Sequence, residues 1–393
     1  MPDQRFKLEC RICGTTFPDD HPKHECPEGH PLTLTWRQEP PRFAGPQAAP
    51  GKGALWAYDY YLPDFAPGAV VSLGEGGTPW VDITAAAIGG VKSGAGAGAD
   101  AAAASNGPKC LAKVEFLAPT GSFKDRGAAT MVSRMKEIGI SQAVEDSSGN
   151  AGAAVAAYCG AAGIQCDIFV PASASAGKLV QVERYGSHLV RVPGSREDTT
   201  QAALAAAAGT YYASHNRHPY FLVGMKTYAY ELYASLGDKV TDLLFPTGGG
   251  SLLLGAFYGY RDLVDAGHLA RVPRLWAIQT QSCAPLAEAW ARGLNEPVPI
   301  EKRPTAAEGI AVAAPPRGAE ILLALRESGG GALTVGEEEI MDGYRTLGRS
   351  GLYAETTTGT VLAGFRRLAA DGRLGRDAVA VIPLTGSGLK ASG

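Results

Sequence analysis

The chain has 393 residues, of which 45% are hydrophobic and 19% charged, and its net charge is −3. This length predicts two domains, or one large α/β body with an insertion, around a sizeable buried core. The near-neutral charge argues against nucleic acid or a membrane as the main partner, and no apolar run reaches the ~18 residues of a membrane-spanning helix. Because the N-terminus has no apolar signal core and the seven cysteines suit reduced thiols, we expect a cytoplasmic protein.

Cysteines and histidines are crowded at the start of the chain, where we expect a small separate unit. Cys10 and Cys13 stand at C-x-x-C spacing, and Cys26 and His30 follow in "CPEGH". Three thiols and an imidazole form a donor set that zinc binds tetrahedrally, with His24 as an alternative fourth ligand. The second pair departs from a full C-x-x-C. Two interpretations therefore stay open: a zinc-ribbon-like knuckle with structural zinc, or a knuckle that binds no metal.

Two segments ahead of the main body are interpreted from composition alone. Residues 36–70 are rich in proline and aromatic side chains, which is typical of an ordered lead-in. Residues 84–109 are rich in alanine and glycine without a sustained period, and they predict a flexible surface insertion that carries no chemistry.

From Cys110 onward, apolar strand patterns alternate with helical periodicity. The predicted strands are "CLAKVEFL", "QAVEDSS", "IQCDIFVP", "HLVRVP", "DLLFPTGGG", "RLWAIQ" and "AVAVIPLTG". Among the predicted helices, one covers 126–138, one ends at Gly163, and one begins with a capping box of Ser195 and Asp198. Repeated β-α-β units with buried strands predict parallel-rich sheets flanked by helices, with sites in the loops that follow the strands.

Four loops of this kind carry unusual chemistry, and two of them suit anions. "PTGGGS" (246–251) follows an apolar strand and opens a helix, so its backbone amides could hold one phosphate, although a plain glycine turn is the alternative. It lacks the lysine of a nucleotide-binding P-loop. "SSGNAG" (147–152) offers hydroxyls, amides and a carboxamide that suit a carboxylate ligand, or else a simple helix cap.

The other two loops are "PTGSFKDRG" (119–127) and "LTGSG" (384–388). In the first, desolvation and a nearby helix N-terminus would lower the pKa of Lys124 and leave its amine nucleophilic. The alternative is that Lys124 is a solvated surface lysine without a chemical role. Glu355, in "YAETTTGT", is interpreted as a carboxylate that positions a loop. A phosphate cradle, a carboxylate cradle and an activated lysine together are what pyridoxal phosphate and an amino-acid substrate require.

The chain resembles the fold-type II pyridoxal-phosphate enzymes, and most closely their threonine-synthase-like branch. From about residue 73 to 390 it carries, in the family's order, "LGEGGTP", "PTGSFKDRG", "SSGNAG", "GKLVQVERYGS", "GMKTYAYEL", "PTGGGS", "AEGIA" and "LTGSGLK". The resemblance implies a two-domain α/β fold like that of the tryptophan synthase β subunit, in a homodimer. The implied units are the knuckle (1–35), a large cofactor-binding domain (36–125 with 226–393) and a small mobile domain (126–225) that closes over the substrate.

The resemblance also implies roles for individual residues. Lys124 matches the lysine that forms the Schiff base with pyridoxal phosphate, Asn150 matches the residue that bonds the ring hydroxyl, and Thr385 matches the hydroxyl residue facing the pyridine nitrogen. The phosphate cup matches Gly248, Gly249, Gly250 and Ser251. The loop for the substrate's carboxylate matches Ser147, Ser148 and Gly149, with Ala151 beside it.

Four positions depart from family members that act on O-phosphohomoserine. Ala151 stands where those members usually have Thr, Phe221 near an expected Arg, Met225 in place of Gln, and Gly249 where an Asn often sits. Loss of an arginine–phosphate contact typically removes ~1.5–3 kcal/mol. Cations that could act from another direction are Arg217, His215, His218 and Lys226.

Three functions therefore stay open. The first is a threonine-synthase-like lyase that eliminates phosphate from O-phosphohomoserine and adds water to give L-threonine. The second is an amino-acid β-lyase, a serine/threonine-type dehydratase or a β-replacement synthase that works through an aminoacrylate. The third is a binding or regulatory protein on a degenerate scaffold, which an intact Lys124 and glycine loop argue against.

Overall fold

A computed structural model of the protein describes residues 5–19, 21, 24–89, 107–174 and 176–390, which form three β-sheets with helices around them. The strands are β1 (Phe6–Glu9), β2 (Thr16–Pro18), β3 (Thr33–Trp36), β4 (Trp80–Asp82), β5 (Lys109–Lys113), β6 (Gln142–Glu145), β7 (Gln165–Pro171), β8 (His188–Val192), β9 (Tyr211–Tyr212), β10 (Asp242–Pro246), β11 (Arg274–Thr280), β12 (Gly331–Val335) and β13 (Val379–Pro383).

Most of the helices follow strands, as the predicted β-α-β alternation requires. They are α1 (Thr84–Gly89), α2 (Lys124–Glu137), α3 (Asn150–Ala162), α4 (Ala176–Arg184), α5 (Arg196–Ala207), α6 (Pro219–Leu236), α7 (Ser251–Asp265), α8 (Pro285–Ala291), α9 (Gly318–Glu327), α10 (Glu337–Arg349) and α11 (Gly359–Ala370). Short 3-10 helices cover Ala54–Tyr61, Glu115–Leu117, Gly237–Lys239, Glu308–Ile310, Thr356–Thr358 and Gly388–Lys390.

The largest sheet has the order β12-β11-β10-β13-β5-β4. Its neighbouring strands run parallel except for the edge strand β4, which is antiparallel to β5. Its central strands β10 and β13 are almost wholly buried, which is why they read as continuous apolar runs. The α/β fold with parallel-rich sheets is therefore confirmed.

Two smaller sheets complete the fold. The order β8-β7-β6-β9 is parallel throughout and follows the alternation predicted between residues 142 and 212. The N-terminal sheet, β2-β1-β3, is antiparallel and carries the cysteine-rich loops at its strand ends.

The predicted surface insertion at 84–109 is wrong at both of its ends. Thr84–Gly89 form helix α1, in which Ala87 is fully buried, and Lys109 already belongs to β5. Tertiary packing thus recruits an alanine-rich segment that has no strong pattern of its own. The rest of this prediction, residues 90–106, lies outside the described residues.

Helices α2 and α6 cross in close contact, and this crossing fixes the start of α2. A Cβ atom at Gly224 would lie only 1.8 Å from the carbonyl oxygen of Arg126, so no residue larger than glycine fits there. In the part of the chain that the structure describes, no helix is long and apolar enough to cross a membrane.

Candidate active site

A cleft of roughly 1500 Å³ opens where loops of the largest and the four-stranded sheets meet. It is lined by strand-to-helix loops, the expected position for a site in a parallel α/β fold. The structure brings together here every cofactor- and substrate-site residue that the motifs predict. They are Lys124, Ser147, Ser148, Gly149, Asn150, Ala151, Gly248, Gly249, Gly250, Ser251 and Thr385.

Lys124 is the first residue of α2, and its side chain lies in the cleft beside the glycine loop. Its Nζ donates to Ser251 Oγ at 3.4 Å and lies 4.8 Å and 5.6 Å from the ring centroids of Phe123 and Phe221. Burial lowers the pKa of Lys124 to about 8, although the nearby Glu145 acts in the opposite direction. About a tenth of this amine is therefore unprotonated and nucleophilic at pH 7, a far larger share than at an ordinary lysine.

The two residues after the lysine turn away from the cleft and anchor the loop. Asp125 accepts a hydrogen bond from the backbone N–H of Thr120 at 2.7 Å. Arg126 is buried and forms ion pairs with Glu115 at 2.7 Å and Glu231 at 2.6 Å. The sequence K-D-R thus places one side chain in the site and two in the framework beneath it.

The glycine loop joins β10 to α7 and forms one wall of the cleft. Gly250 has φ +77°, and it caps the helix without a side chain. A Cβ at Gly248 would lie 2.9 Å from Ile310 Cα, and one at Gly249 would lie 2.4 Å from Asn216 Oδ1. Bare backbone at a helix N-terminus is the arrangement that binds a single phosphate.

Asn150 links the carboxylate-type loop to the last strand-to-helix loop. Its Nδ2 donates to both carboxylate oxygens of Glu355, at 2.8 Å and 3.1 Å. The backbone N–H of Glu355 in turn donates to the carbonyl of Gly386 at 2.8 Å, next to the buried Thr385. Glu355 therefore positions two loops at once.

The comparisons with known proteins agree with this geometry. Residues 71–386 match the model of the pyridoxal-phosphate dependent enzymes. The chain belongs to this family. Threonine synthase of Methanocaldococcus jannaschii is 29% identical over 97% of this chain and 92% of that protein, and threonine synthase of Mycobacterium tuberculosis H37Rv is 30% identical over 87% and 89%. The chain is a pyridoxal-phosphate-dependent lyase that resembles threonine synthases, as the motifs predict.

A solved structure shows the same fold. Maize serine racemase superposes with a TM-score of 0.65, at 22% identity, over 79% of this chain and 88% of that one. The predicted fold-type II class is thereby confirmed. The residues present also fit the family's cofactor, because the cleft combines a lysine amine with a phosphate cradle in which a Cβ atom would clash.

A buried acid–histidine pair in this pyridoxal-phosphate-dependent lyase is absent from the motif predictions. Glu145 ends β6, and its Oε1 forms a short hydrogen bond with Nδ1 of the cleft-lining His215. The backbone N–H of His215 donates to Glu145 Oε2 at 3.3 Å. Burial raises the pKa of Glu145 to about 8 and lowers the pKa of His215 well below its ordinary value. A charged residue at the end of a buried strand, two positions before "SSGNAG", is the signal that points to this pair.

Six further cationic side chains line the cleft. They are Arg184, Arg196, Arg217, Lys302, Arg303 and Lys390. Among the cations considered as replacements for the missing phosphate ligands, Arg217 and His215 are in this lining. Lys226 is instead buried in an ion pair with Asp262 at 2.9 Å, and His218 Nε2 lies 2.8 Å from the hydroxyl of Tyr211.

The departures from the O-phosphohomoserine pattern have different structural settings. Phe221 packs under α2, since a Cβ at Gly127 would lie 2.5 Å from its ring. Met225 is buried where α6 meets α7, 2.1 Å from the position of a Cβ at Gly255. At Gly249 the carboxamide of Asn216 occupies the space that a side chain at position 249 would take.

The predicted knuckle ligands also converge. Donor atoms of Cys10, Cys13, Cys26 and His30 all lie within 4.8 Å of one another, and Cys26 Sγ is 3.7 Å from His30 Nδ1. The edge of a tetrahedron of zinc–sulfur and zinc–nitrogen bonds is roughly 3.6 Å. His24, the alternative ligand, is partly buried, with its Nε2 at 3.2 Å from a tyrosine hydroxyl. The four converging donors therefore fit zinc.

Proposed function

We propose that this pyridoxal-phosphate-dependent lyase converts O-phosphohomoserine and water into L-threonine and phosphate. One observation carries the proposal: besides the glycine loop beside Lys124, the cleft is lined by several cationic side chains, among them Arg184, Lys302 and Arg303. A cofactor phosphate and a substrate phosphate need two places for anions. The similarity to threonine synthases over nearly the whole chain supports the same conclusion.

The residues of the cleft divide the work as follows. Lys124 would hold the cofactor, the amides of Gly248 to Ser251 its phosphate, Asn150 its ring hydroxyl and Thr385 its ring nitrogen. When bound, the cofactor supplies an electron sink for the bonds at the substrate's α-carbon. Ser147, Ser148 and Gly149, with Ala151 beside them, would bind the substrate's carboxylate. The Lys124 amine would take and return the α-proton, because its lowered pKa allows both steps near neutral pH.

Phe221 favours a second candidate function. Its ring centroid lies 5.6 Å from Lys124 Nζ, where the family pattern leads us to expect a phosphate-binding arginine. Phe221 is fully buried, so the position of the expected arginine holds no cation for a substrate phosphate. A site without that cation suits a smaller, less charged leaving group, as in a serine/threonine-type dehydratase or a β-replacement synthase. The cationic side chains that line the cleft oppose this function, since they suit a substrate that carries a further anionic group.

A substrate panel on the holoenzyme separates the two. We expect equal amounts of threonine and phosphate from O-phosphohomoserine, and little ammonia or keto acid from serine or threonine. Keto acid from serine or threonine without threonine from O-phosphohomoserine would favour the second function. The Lys124→Ala variant is the control, because it should form no product in either assay.

We also propose the division into units that the resemblance implies. Residues 126–225 would form the small mobile domain, supported by the four-stranded sheet that lies wholly inside this range. Residues 36–125 and 226–393 would form the large domain, supported by the largest sheet, and 1–35 the knuckle. Closure of the small domain would exclude water from the reacting carbon.

Structural zinc in the knuckle, a homodimer and a cytoplasmic location complete the proposal. The four converging donors support zinc. The exposed Trp80 and Val81 on the edge strand β4 support a second copy of the chain as partner. All seven cysteines are free thiols, as expected in a reducing compartment.

A further inference from the structure

The pair Glu145–His215 belongs to the cleft but has no part in holding the cofactor or the substrate's carboxylate. His215 lines the cleft as Lys124 does, and the ring of Phe221 neighbours both, with its centroid 6.1 Å from the His215 ring and 5.6 Å from Lys124 Nζ. Glu145 is completely buried behind His215. Burial away from solvent favours the neutral form of this carboxyl group.

The hydrogen bond between them orients the imidazole. Because Nδ1 is engaged by Glu145, Nε2 is the nitrogen left for the cleft, and within the described ranges it has no hydrogen-bond partner. Histidines that transfer protons are commonly held in this way: a carboxyl group bonds one ring nitrogen, and the other ring nitrogen faces the reacting group. In this arrangement Glu145 is a positioning residue.

We propose that His215, oriented by Glu145, is a second proton-transfer residue that serves the departing group of the substrate, while Lys124 serves the α-carbon. This inference rests on the proposed function. As the bond from the γ-carbon to oxygen breaks, its electron pair goes to the phosphate oxygen, which takes the Nε2 proton. The electron pair of a β-carbon–hydrogen bond replaces it at the γ-carbon, and the proton from that bond passes by way of the Lys124 amine to the γ-carbon, which becomes the methyl group. The water that adds at the β-carbon returns a proton to Nε2, so the pair is unchanged after one turnover.

The charges around the pair fit this role. Lys124, Asp146 and Arg196 face it from α2, the end of β6 and the start of α5. Burial raises the pKa of Glu145 to about 8, so near pH 7 the pair retains the proton that Nε2 can donate. Arg196 lines the same cleft as His215 and would attract an anionic leaving group toward the imidazole.

The experiment compares two reactions of the holoenzyme in the variant His215→Asn, with His188→Asn on exposed β8 as the matched control. The first reaction is phosphate release from O-phosphohomoserine, and the second is exchange of the α-proton of L-threonine in deuterated water, followed by NMR. We expect His215→Asn to lower phosphate release by about 10²- to 10⁴-fold. We expect α-proton exchange to stay within about threefold of wild type, because Lys124 performs it.

Further readouts separate proton transfer from a structural role. Wild-type turnover should decline above about pH 8, and this decline should be lost in His215→Asn. Glu145→Gln, which keeps the shape of the side chain, should mainly change the pH dependence of turnover, with a smaller effect on KM. An equal loss of exchange and release, or unchanged release, would overturn the inference. If wild type releases no phosphate at all, the proposed substrate is wrong, and the same comparison is then made on keto-acid release from serine.

Discussion

Replacing the buried Arg126 by methionine tests whether the ion pairs beneath the site hold the lysine loop in place. The guanidinium bonds Glu115 at 2.7 Å and 2.8 Å, and Glu231 at 2.6 Å and 2.8 Å, and all three side chains are buried. Arg126→Met leaves two buried carboxylates that share Lys113 as a cationic neighbour. We therefore expect a loss of about 3–5 kcal/mol in the free energy of unfolding, measured by urea titration.

The dependence on pH identifies the mechanism. Burial alone would raise the pKa of Glu231, but Arg126 and Lys113 hold it at about 2. A depressed carboxyl pKa contributes stability that is present above the ordinary value and lost as the pH falls toward 2. The deficit of Arg126→Met should therefore be largest near pH 7 and shrink toward pH 4, because the variant's carboxyls take up protons earlier.

A control on the same helix makes the result decisive. Arg134 of α2 pairs with Glu137 at 2.6 Å nearer the surface, and Arg134→Met should cost about 1 kcal/mol or less. The double variant Arg126→Met with Glu231→Gln should recover part of the loss. A deficit at Arg126 no larger than at Arg134, or one that grows as the pH falls, would refute the reasoning.

Four further predictions concern the cofactor and the metal. Lys124→Ala should abolish the visible absorbance of the reconstituted enzyme. In wild type the rate of cofactor attachment should rise with pH and reach half its maximum near pH 8, because the amine must lose its proton; a midpoint near 10 contradicts this. Gly250→Ala should weaken cofactor binding at least tenfold, since φ is +77° and a Cβ would lie 2.2 Å from Ile321 Cδ1; unchanged affinity in a fluorescence titration contradicts it. Metal analysis should give one zinc per chain, lost in Cys26→Ser, whereas unchanged zinc content would exclude Cys26 as a ligand.

Local features of the fold could be predicted from the sequence. The capping box of Ser195 and Asp198 and the left-handed Gly163 after α3 are present as predicted, because each depends on residues only a few positions apart. The strand-to-helix loops are equally local, since a buried strand directs the next few residues to the same edge of the sheet. For this reason the predicted residues around Lys124 converge in one cleft.

Features that depend on distant residues could not be predicted in this way. Strand β12 begins at the last of three consecutive glycines and continues as a short, mostly apolar run. This segment forms a strand because it pairs with β11. The Glu145–His215 pair joins residues 70 positions apart, and no local pattern links them. The same holds for Asn216, whose carboxamide takes the space beside Gly249 from another part of the chain.

Arg317 links the knuckle to a loop of the cleft wall. Its Nε and Nη2 donate to the carbonyls of Asn216 and Arg217, both at 2.9 Å, and its Nη2 and Nη1 also donate to the carbonyl of Leu32 at 2.8 Å and to Thr33 Oγ1 at 3.0 Å. With a further bond to a neighbouring carboxylate, all five N–H donors of this buried side chain are satisfied. Because one guanidinium bonds both segments, strand β3 cannot move without displacing the loop that carries the cleft-lining carboxamide. Folding of the knuckle therefore contributes to the shape of the cleft.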